Sequence, residues 1–240
     1  VVLNTCGFIG DAQEESINMI LQMVEAKKSG RIGQVYVMGC LTERFMDELK
    51  KEIPEVDGYY GKFNWKNLLT DLGKAYHHDP LGGNRSITTP KHYAYMKISE
   101  GCNRSCSYCA IPLITGKHQS RPMEELIAEA ESLVAGGVKE IQLIAQDLTF
   151  YGLDIYKKNR LAELLERLSD IRGLEWLRLH YAYPADFPKE ILRVMREREN
   201  ICNYLDIALQ HISDPMLRAM RRRVTKAETY ELLHDIRQSV

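Results

Sequence analysis

The chain has 240 residues, of which 45% are hydrophobic and 27% charged, and 32 basic against 33 acidic residues give a formal net charge of −1. No apolar run approaches the roughly 20 residues that span a bilayer, and the length suits one large domain or two smaller ones. The composition therefore argues against a membrane protein and against nucleic-acid binding through an overall positive charge.

The first third of the chain alternates short apolar runs with amphipathic helices, which is typical of a parallel sheet covered by helices. Residues 1–3 and 34–38 are predicted strands. Asp11 followed by Glu14 predicts a capping box at the start of the first helix, and Thr42 is predicted to cap the second helix. The pattern therefore predicts a Rossmann-like N-terminal domain.

Residues 78–91 lose this periodicity and are rich in Gly, Pro and Asn, which predicts a linker between a domain at residues 1–77 and a domain at residues 92–240. The chain starts without Met inside an apparent strand, and its last helical pattern runs to the final residue. We therefore expect a fragment of a longer protein, with a truncated N-terminal domain and an incomplete second domain.

The second domain repeats the sequence of a strand followed by a helix. Predicted strands cover residues 93–98, 140–145, 176–181 and 204–209, and predicted helices cover residues 122–135, 161–171 and 187–198. Consecutive βα units favour a (β/α) TIM-like barrel or part of one, in which the loops after the strands share one rim. Functional side chains are therefore expected on these loops.

Three of the six cysteines, Cys102, Cys106 and Cys109, lie within eight positions of the loop after the first of these strands. Such crowding in a large chain does not suit a disulfide framework and indicates metal or cluster ligation in a reducing compartment. Three thiolates in one loop can bind three irons of a [4Fe-4S] cluster and leave the fourth iron open for an exchangeable ligand.

Two other interpretations of these cysteines stay open. Offsets of four and three residues would also place three buried cysteines on one helix face, although Gly101, Asn103 and Ser105 are weak helix formers. A zinc site completed by His92 or His118 is the second interpretation, although structural zinc sites usually contain cysteine pairs with two-residue spacings.

The three-cysteine loop resembles the radical S-adenosylmethionine (SAM) superfamily, whose signature is Cys-x-x-x-Cys-x-aromatic-Cys. In that superfamily the aromatic residue lies against the adenine of SAM, and the resemblance gives this role to Tyr108. The chain is also similar, from one end to the other, to the methylthiotransferases of this superfamily. The matching stretches are residues 4–8, 38–41, 98–102, 120–122, 209–214 and 220–222.

The methylthiotransferases carry a second cluster held by three cysteines of the N-terminal domain. The two that match here are Cys6 and Cys40, which follow the first two predicted strands at equivalent positions. Taken alone, two such distant cysteines would more often be buried apolar residues. The third ligand is expected upstream of Cys6 and is absent from this chain, so the second cluster is incomplete here. Cys202 matches no motif and is predicted to be a core residue.

Residues 144–152 and 179–184 look like the RimO-type branch, which modifies an aspartate of ribosomal small-subunit protein twelve. The transfer-RNA branch usually carries Gln-Asn where this chain has Gln146-Asp147. Because Gln146, Asp147 and Gln210 end predicted strands, we expect them to face SAM or the substrate. A polar loop that caps the next segment is the alternative for the first two.

The resemblance implies a cytoplasmic transferase that adds a methylthio group to the β-carbon of that aspartate. It implies two [4Fe-4S] clusters and S-adenosyl-L-methionine as cofactors, an external electron donor, and a ribosomal small-subunit protein as substrate, free or within the ribosome. The family's C-terminal domain, expected beyond this chain, could add a direct contact with RNA. Two alternatives stay open, namely methylthiolation of an adenosine in transfer RNA and a non-catalytic zinc-binding α/β module.

Two polar segments outside these motifs are candidates for contact with a partner. The basic run at residues 221–223 is predicted on a helix, either as a solvated face or as a contact with a ribosomal partner. Residues 154–159, with Tyr151 and Tyr156, are predicted to form an exposed loop at which a substrate could bind.

Overall fold

The computed structural model describes residues 1–75 and 86–240. These residues form two compact units, one of residues 1–75 with Leu113–Thr115 and one of the remaining residues from 86 onwards. Both units are α/β with a parallel main sheet, which confirms the predicted fold class. Most of the predicted linker, residues 78–85, lies outside the described residues. Within the described ranges, every helix is too short or too polar to cross a bilayer.

The first unit is a three-stranded parallel sheet with helices between its strands. In chain order it contains β1 (Val2–Thr5), α1 (Gly10–Lys28), β2 (Tyr36–Gly39), α2 (Cys40–Glu52), β3 (Gly58–Gly61) and α3 (Trp65–Asp71). The strand order is β1-β2-β3, so each strand pairs with the next one along the chain. Thr5 pairs with Gly39 at the carboxyl end of β1 and β2.

Both helices that follow β1 and β2 begin before the residues predicted to cap them. Asp11 and Glu14 lie inside α1, which has no side-chain cap, so the predicted capping box is wrong. Thr42 is buried within α2, so its predicted capping role is also wrong. Gly39 allows the earlier start of α2, because its φ of +115° turns the strand directly into the helix at Cys40.

Residues 86–240 are built on a four-stranded parallel sheet. In chain order they contain β4 (Tyr93–Lys97), β5 (Ser99–Glu100), α4 (Ile111–Thr115), β6 (Gln119–Ser120), α5 (Met123–Ala135), β7 (Glu140–Ile144), α6 (Leu161–Ser169), β8 (Trp176–Ala182), α7 (Glu190–Glu197), β9 (Ile201–Ile207), α8 (Asp214–Ala219) and α9 (Lys226–Ser239). The order of the sheet is β4-β7-β8-β9, and β5 pairs separately with β6. Each strand of this sheet is thus added on the same side of the previous one, with a helix between them in the chain, as in a (β/α) barrel.

A single hydrophobic core joins this sheet to the helices that cover it. Four leucines of α6 are fully buried at three-and-four spacing: Leu161, Leu164, Leu165 and Leu168. Burial of each such side chain contributes roughly 1.5–3 kcal/mol to folding. Cys202, on β9, is 4% exposed, in agreement with its predicted place in the core. The packed helices therefore fix the strands, and the strand ends carry the loops described next.

Candidate cofactor site

The cysteine loop, residues 101–110, follows β5 and contains no helix. The interpretation of three cysteines on one helix face is therefore wrong. β5, before the loop, pairs with β6, which lies after it. The Cys102 N–H also donates to the Gly116 carbonyl at 3.2 Å. Gly101 has a φ of +78°, and an added Cβ would collide with the Lys117 carbonyl oxygen. Only glycine suits this first position of the loop.

A cavity of about 160 Å³ lies against the cysteine loop. Its walls contain the three clustered cysteines and three other predicted site residues, Tyr108, Gln146 and Gln210. The remaining lining residues are Arg104, Ile111, Tyr181, Ala182, Tyr183, Ala208 and Arg222. The loops after β5, β7, β8 and β9 thus meet at one place, as expected for the carboxyl ends of parallel strands.

Each sulfur of the three clustered cysteines accepts a hydrogen bond. The donors, all at 3.4 Å, are the Arg104 backbone to Cys102, the Ile111 backbone to Cys109 and the Arg222 guanidinium to Cys106. The thiols are free of disulfides. Burial raises the pKa of the Cys102 thiol, and the Arg104 N–H opposes this only in part. N–H groups aimed at sulfur are the outer contacts that stabilise thiolate ligands of a metal centre.

Arg104 joins the cysteine loop to the segments that follow β7 and β8. Its Nε donates to Asp147 and its Nη1 to Asp186, both at 3.0 Å. The guanidinium carbon lies 4.3 Å from the ring centre of Phe150 and 4.0 Å from that of Tyr183. The Arg104 side chain is 6% exposed, that of Asp147 1% and that of Asp186 82%. Arg104 therefore fixes the loop through one buried and one exposed carboxylate.

The four predicted cofactor-binding residues differ from one another in exposure and in contacts. Tyr108 is half exposed at the cavity, and its hydroxyl accepts from Arg222. Gln146 donates to Glu100 at 2.6 Å, while its own Oε1 is buried without a partner in the described residues. Gln210 is exposed with a φ of +67°. Asp147 is buried and is not among the residues that line the cavity.

The carboxylate of Asp147 is occupied by groups of the protein. One oxygen accepts from the backbone N–H and hydroxyl of Thr149, and the other accepts from Arg104. Its first oxygen thereby caps the turn at residues 148–150, as the polar-cap interpretation predicts. Arg104 lines the cavity and contacts Asp147. Asp147 can therefore affect a bound ligand only by holding Arg104 in place.

The basic run at residues 221–223 lies in the turn between α8 and α9, so its predicted place on a helix is wrong. Arg221 and Arg223 are exposed, whereas Arg222 is 3% exposed and lines the cavity. The left-handed backbone of its two neighbours breaks the helical pattern. The sequence alone did not reveal that the middle arginine turns inwards.

The loop at residues 154–159 exposes Ile155, Lys157 and Lys158, and its other three residues are partly buried. Tyr151 is fully buried, Asp154 accepts from the Ser120 backbone N–H at 2.8 Å, and the Tyr156 hydroxyl accepts from the Met123 backbone N–H at 2.8 Å. The expectation of an exposed loop therefore holds in part, but it is wrong for Tyr151, which is buried, and Tyr156 is only partly exposed. These contacts hold the loop against β6 and the start of α5.

In the first unit, Cys6 directly follows β1 and Cys40 directly follows β2. An added Cβ at Gly7 would lie 2.5 Å from the Cys40 carbonyl oxygen, so the two chain segments touch through their backbones. Cys6 is exposed, Cys40 is partly exposed and both thiols are free. The predicted placement of both cysteines at one edge of the sheet agrees with the structure.

Residues 96–240 match the Radical SAM superfamily, and residues 1–61 match Uncharacterized protein family UPF0004. The chain belongs to the radical SAM superfamily. The superfamily match covers more than half of the chain and includes the whole cysteine loop. The match at residues 1–61 covers β1 to β3 and both cysteines of the first unit.

Curated relatives match the chain along its entire length. Ribosomal protein uS12 methylthiotransferase RimO from Porphyromonas gingivalis is 72% identical over 240 residues, which are 100% of this chain and 55% of that protein. Proteins of the same name from Bacteroides fragilis and Flavobacterium johnsoniae are 65% and 55% identical, with the same coverage of both chains. The chain spans about half the length of the curated relatives it matches.

Solved structures of radical SAM enzymes share the fold. The radical S-adenosylmethionine methyltransferase TsrM from Kitasatospora setae, with tryptophan and a SAM analogue bound, matches with a TM-score of 0.65 at 16% identity over 91% of this chain and 50% of that one. The cobalamin-dependent S-adenosylmethionine radical enzyme OxsB matches with a TM-score of 0.66 at 10% identity over 98% of this chain and 38% of that one. At these identities the likeness concerns the fold alone.

The donors at the cavity suit a cubane cluster better than a single ion. One ion would need thiolates about 2.3 Å from a single point. No three His, Cys, Asp or Glu side chains of residues 1–75 and 86–240 converge in this way. A cubane is bound through separate irons, so its three thiolate ligands do not need to converge on a single point.

Neither histidine of the zinc interpretation lies in the cavity wall. The ring of His118 is buried, which lowers its pKa, and its Nε2 lies 3.1 Å from the Ser120 hydroxyl. His92 precedes β4, whereas the cysteine loop follows that strand. About 16 Å of strand therefore separates His92 from the edge that carries the cysteines. This geometry does not support a zinc site completed by either residue.

Proposed function

We propose that the full-length protein is a radical SAM methylthiotransferase that adds a methylthio group to the β-carbon of an aspartate in ribosomal protein uS12. The observation that carries this proposal is the identity of 55–72% along the whole chain to relatives named for that activity. The three cysteines around one cavity support the same chemistry. Because the chain spans about half of those relatives, the activity is assigned to the full-length protein.

In this proposal Cys102, Cys106 and Cys109 bind three irons of a [4Fe-4S] cluster and leave the fourth iron for SAM. The cluster and SAM together supply a radical able to remove hydrogen from an unactivated carbon. Tyr108 offers its half-exposed ring to the adenine, and Gln146 offers the unpartnered Oε1 of its side chain. Arg104 and Asp147 hold the loop that positions these groups.

The first unit is proposed to be the N-terminal cluster domain, residues 1–77, joined by a linker at 78–91 to the radical SAM domain at 92–240. Cys6 and Cys40 supply two ligands of a second [4Fe-4S] cluster, and the third ligand comes from outside this sequence. Cys6 and Cys40 follow adjacent parallel strands, and this position supports the binding of one cluster by both cysteines. The proposal also includes an external electron donor, ribosomal context and a cytoplasmic location.

The test uses the full-length enzyme, reconstituted anaerobically with iron and sulfide and incubated with SAM and a reductant. Parallel reactions receive uS12, intact small ribosomal subunits or transfer RNA, and mass spectrometry locates any methylthio group. We expect the group on an aspartate of uS12, and a Cys102→Ala enzyme is the control. A methylthio group on transfer-RNA adenosine alone would contradict the substrate and leave the reaction class intact.

A further inference from the structure

Arg222 is a buried cation that forms no ion pair with a carboxylate of residues 1–75 or 86–240. The residue is 3% exposed. Its guanidinium donates to the Cys106 sulfur, the Tyr108 hydroxyl and the Ala208 carbonyl, and its Nε is buried without a partner among the residues that the structure describes. No carboxylate of the described residues pairs with it. Burying a charge is costly unless a counter-charge lies nearby, so this environment calls for an anion at the cavity.

Arg104 provides an internal comparison, because it lies in the same stack as Arg222. The guanidinium carbons of both arginines lie 4.0 Å from the ring centre of Tyr183. Arg104 pairs with two carboxylates, those of Asp147 and Asp186. Of these two cations, Arg222, which contacts Cys106, is therefore the one that pairs with no carboxylate of the described residues.

The backbone around Arg222 is shaped to aim this side chain inwards. Arg221 and Arg223 have φ values of +55° and +51°, a left-handed conformation that is uncommon for residues other than glycine. The Arg222 carbonyl accepts from the Tyr183 hydroxyl at 2.7 Å, and its N–H donates to the Leu217 carbonyl at 2.9 Å. The turn thus exposes both neighbours and buries only the middle arginine.

The same turn is fastened to the cysteine loop. The Ser107 backbone N–H donates to the Met220 carbonyl at 3.1 Å, and the Ser107 hydroxyl donates to the Ala219 carbonyl at 3.0 Å. Ser107 is the residue after Cys106. These bonds hold the backbone of the turn against the backbone of the cysteine loop, and the Arg222 side chain spans the remaining distance to the Cys106 sulfur.

We propose that Arg222 is a positioning residue that supplies the counter-charge to the Cys106 ligand and raises the reduction potential of the cluster. The inference rests on the cluster of the proposed function. A cluster held by three thiolates is anionic and gains a further negative charge on reduction. A fixed cation and N–H donor in a buried site stabilises the reduced form more than the oxidised form.

The test measures the midpoint potential of the cluster in the full-length enzyme. A Cys6→Ala/Cys40→Ala background leaves the signal of one cluster, and the potential is read by EPR during a redox titration without substrate. Arg222→Gln removes the charge, Arg222→Lys keeps it, and Arg223→Gln is the matched control with an exposed arginine. Iron per chain and circular dichroism are recorded for every variant.

We expect Arg222→Gln to lower the equilibrium constant for reduction at least tenfold, which is about 59 mV for a one-electron couple. Arg222→Lys should recover most of this loss, and Arg223→Gln should match the parent enzyme. If Arg222→Gln folds but binds less iron, restoration of iron by Arg222→Lys also supports a role of the charge. Loss of iron in both variants would overturn it in favour of a packing role.

An unchanged potential in fully loaded Arg222→Gln would also overturn the inference, and so would an equal shift in Arg223→Gln. These outcomes are independent of the substrate. Modification of uS12 is measured separately, in the enzyme that retains Cys6 and Cys40. If that enzyme modifies uS12, an unchanged potential in the Cys6→Ala/Cys40→Ala background would refute only the role of Arg222. If it does not modify uS12, a shifted potential would leave the role of Arg222 intact and refute only the proposed substrate.

Discussion

Replacing Asp147 by Asn is expected to destabilise the second unit by about 3 kcal/mol. The Asp147 and Arg104 side chains are 1% and 6% exposed, and their nitrogen–oxygen distance is 3.0 Å. Asn can still accept from Thr149, but its amide N–H₂ would face the Arg104 Nε–H. Removing one partner of a buried ion pair costs about 3–5 kcal/mol, and the lower end applies because Asp186 remains beside the guanidinium.

The assay is urea unfolding of the metal-free protein in a Trp65→Phe background, so that Trp176 fluorescence reports the second unit alone. Asp186→Asn is the matched control, since this aspartate contacts the same guanidinium but its side chain is 82% exposed. The control should lose about 0–1 kcal/mol, as exposed pairs do. Equal losses for the two variants would refute the argument that burial decides the strength of this contact.

Replacing any one of the three clustered cysteines by Ala should abolish SAM cleavage, whereas Cys202→Ala should leave it nearly intact; chromatography of the nucleoside product distinguishes the two results. Gly101→Ala should sharply lower iron per chain, because its Cβ would collide with a carbonyl, whereas Gly116→Ala, also at positive φ but with open space, should lower it less. Burial, followed by its hydrogen bond to Asp71, raises the pKa of Tyr60 to about 12. This raised pKa contributes a stabilisation that is fully present below the unfolded-state pKa of about 10 and is lost as the pH rises to about 12. The urea midpoint of the first unit should therefore fall between these pH values, and it should fall less in Tyr60→Phe.

Elements with a long and regular apolar pattern could be predicted from the sequence. The leucine stripe of α6 and the strands β4, β7 and β8 lie where the periodicity placed them, because burial on one face dictates that spacing. Short elements without such a pattern were missed. β3 is four residues of Gly-Tyr-Tyr-Gly, and the start of α2 depends on the left-handed Gly39 rather than on a capping side chain.

The same distinction holds for the site. Cys102, Cys106 and Cys109 could be predicted because all three ligands lie in one short loop, where spacing alone shows the chemistry. Arg222 comes from a turn more than 100 positions later, and a basic run in sequence looks the same whether it is solvated or buried. Its role depends on the stack with Tyr183, which only the three-dimensional structure brings together.

The central claim is that the three clustered cysteines hold an iron–sulfur cluster with one iron open to SAM. The most direct test is the EPR spectrum of the anaerobically reconstituted, reduced protein recorded with and without SAM, together with its iron, sulfide and zinc content. We predict iron and sulfide in equal amounts and a cluster signal that changes when SAM is added. A colourless protein that holds one zinc and gives no such signal would contradict the account.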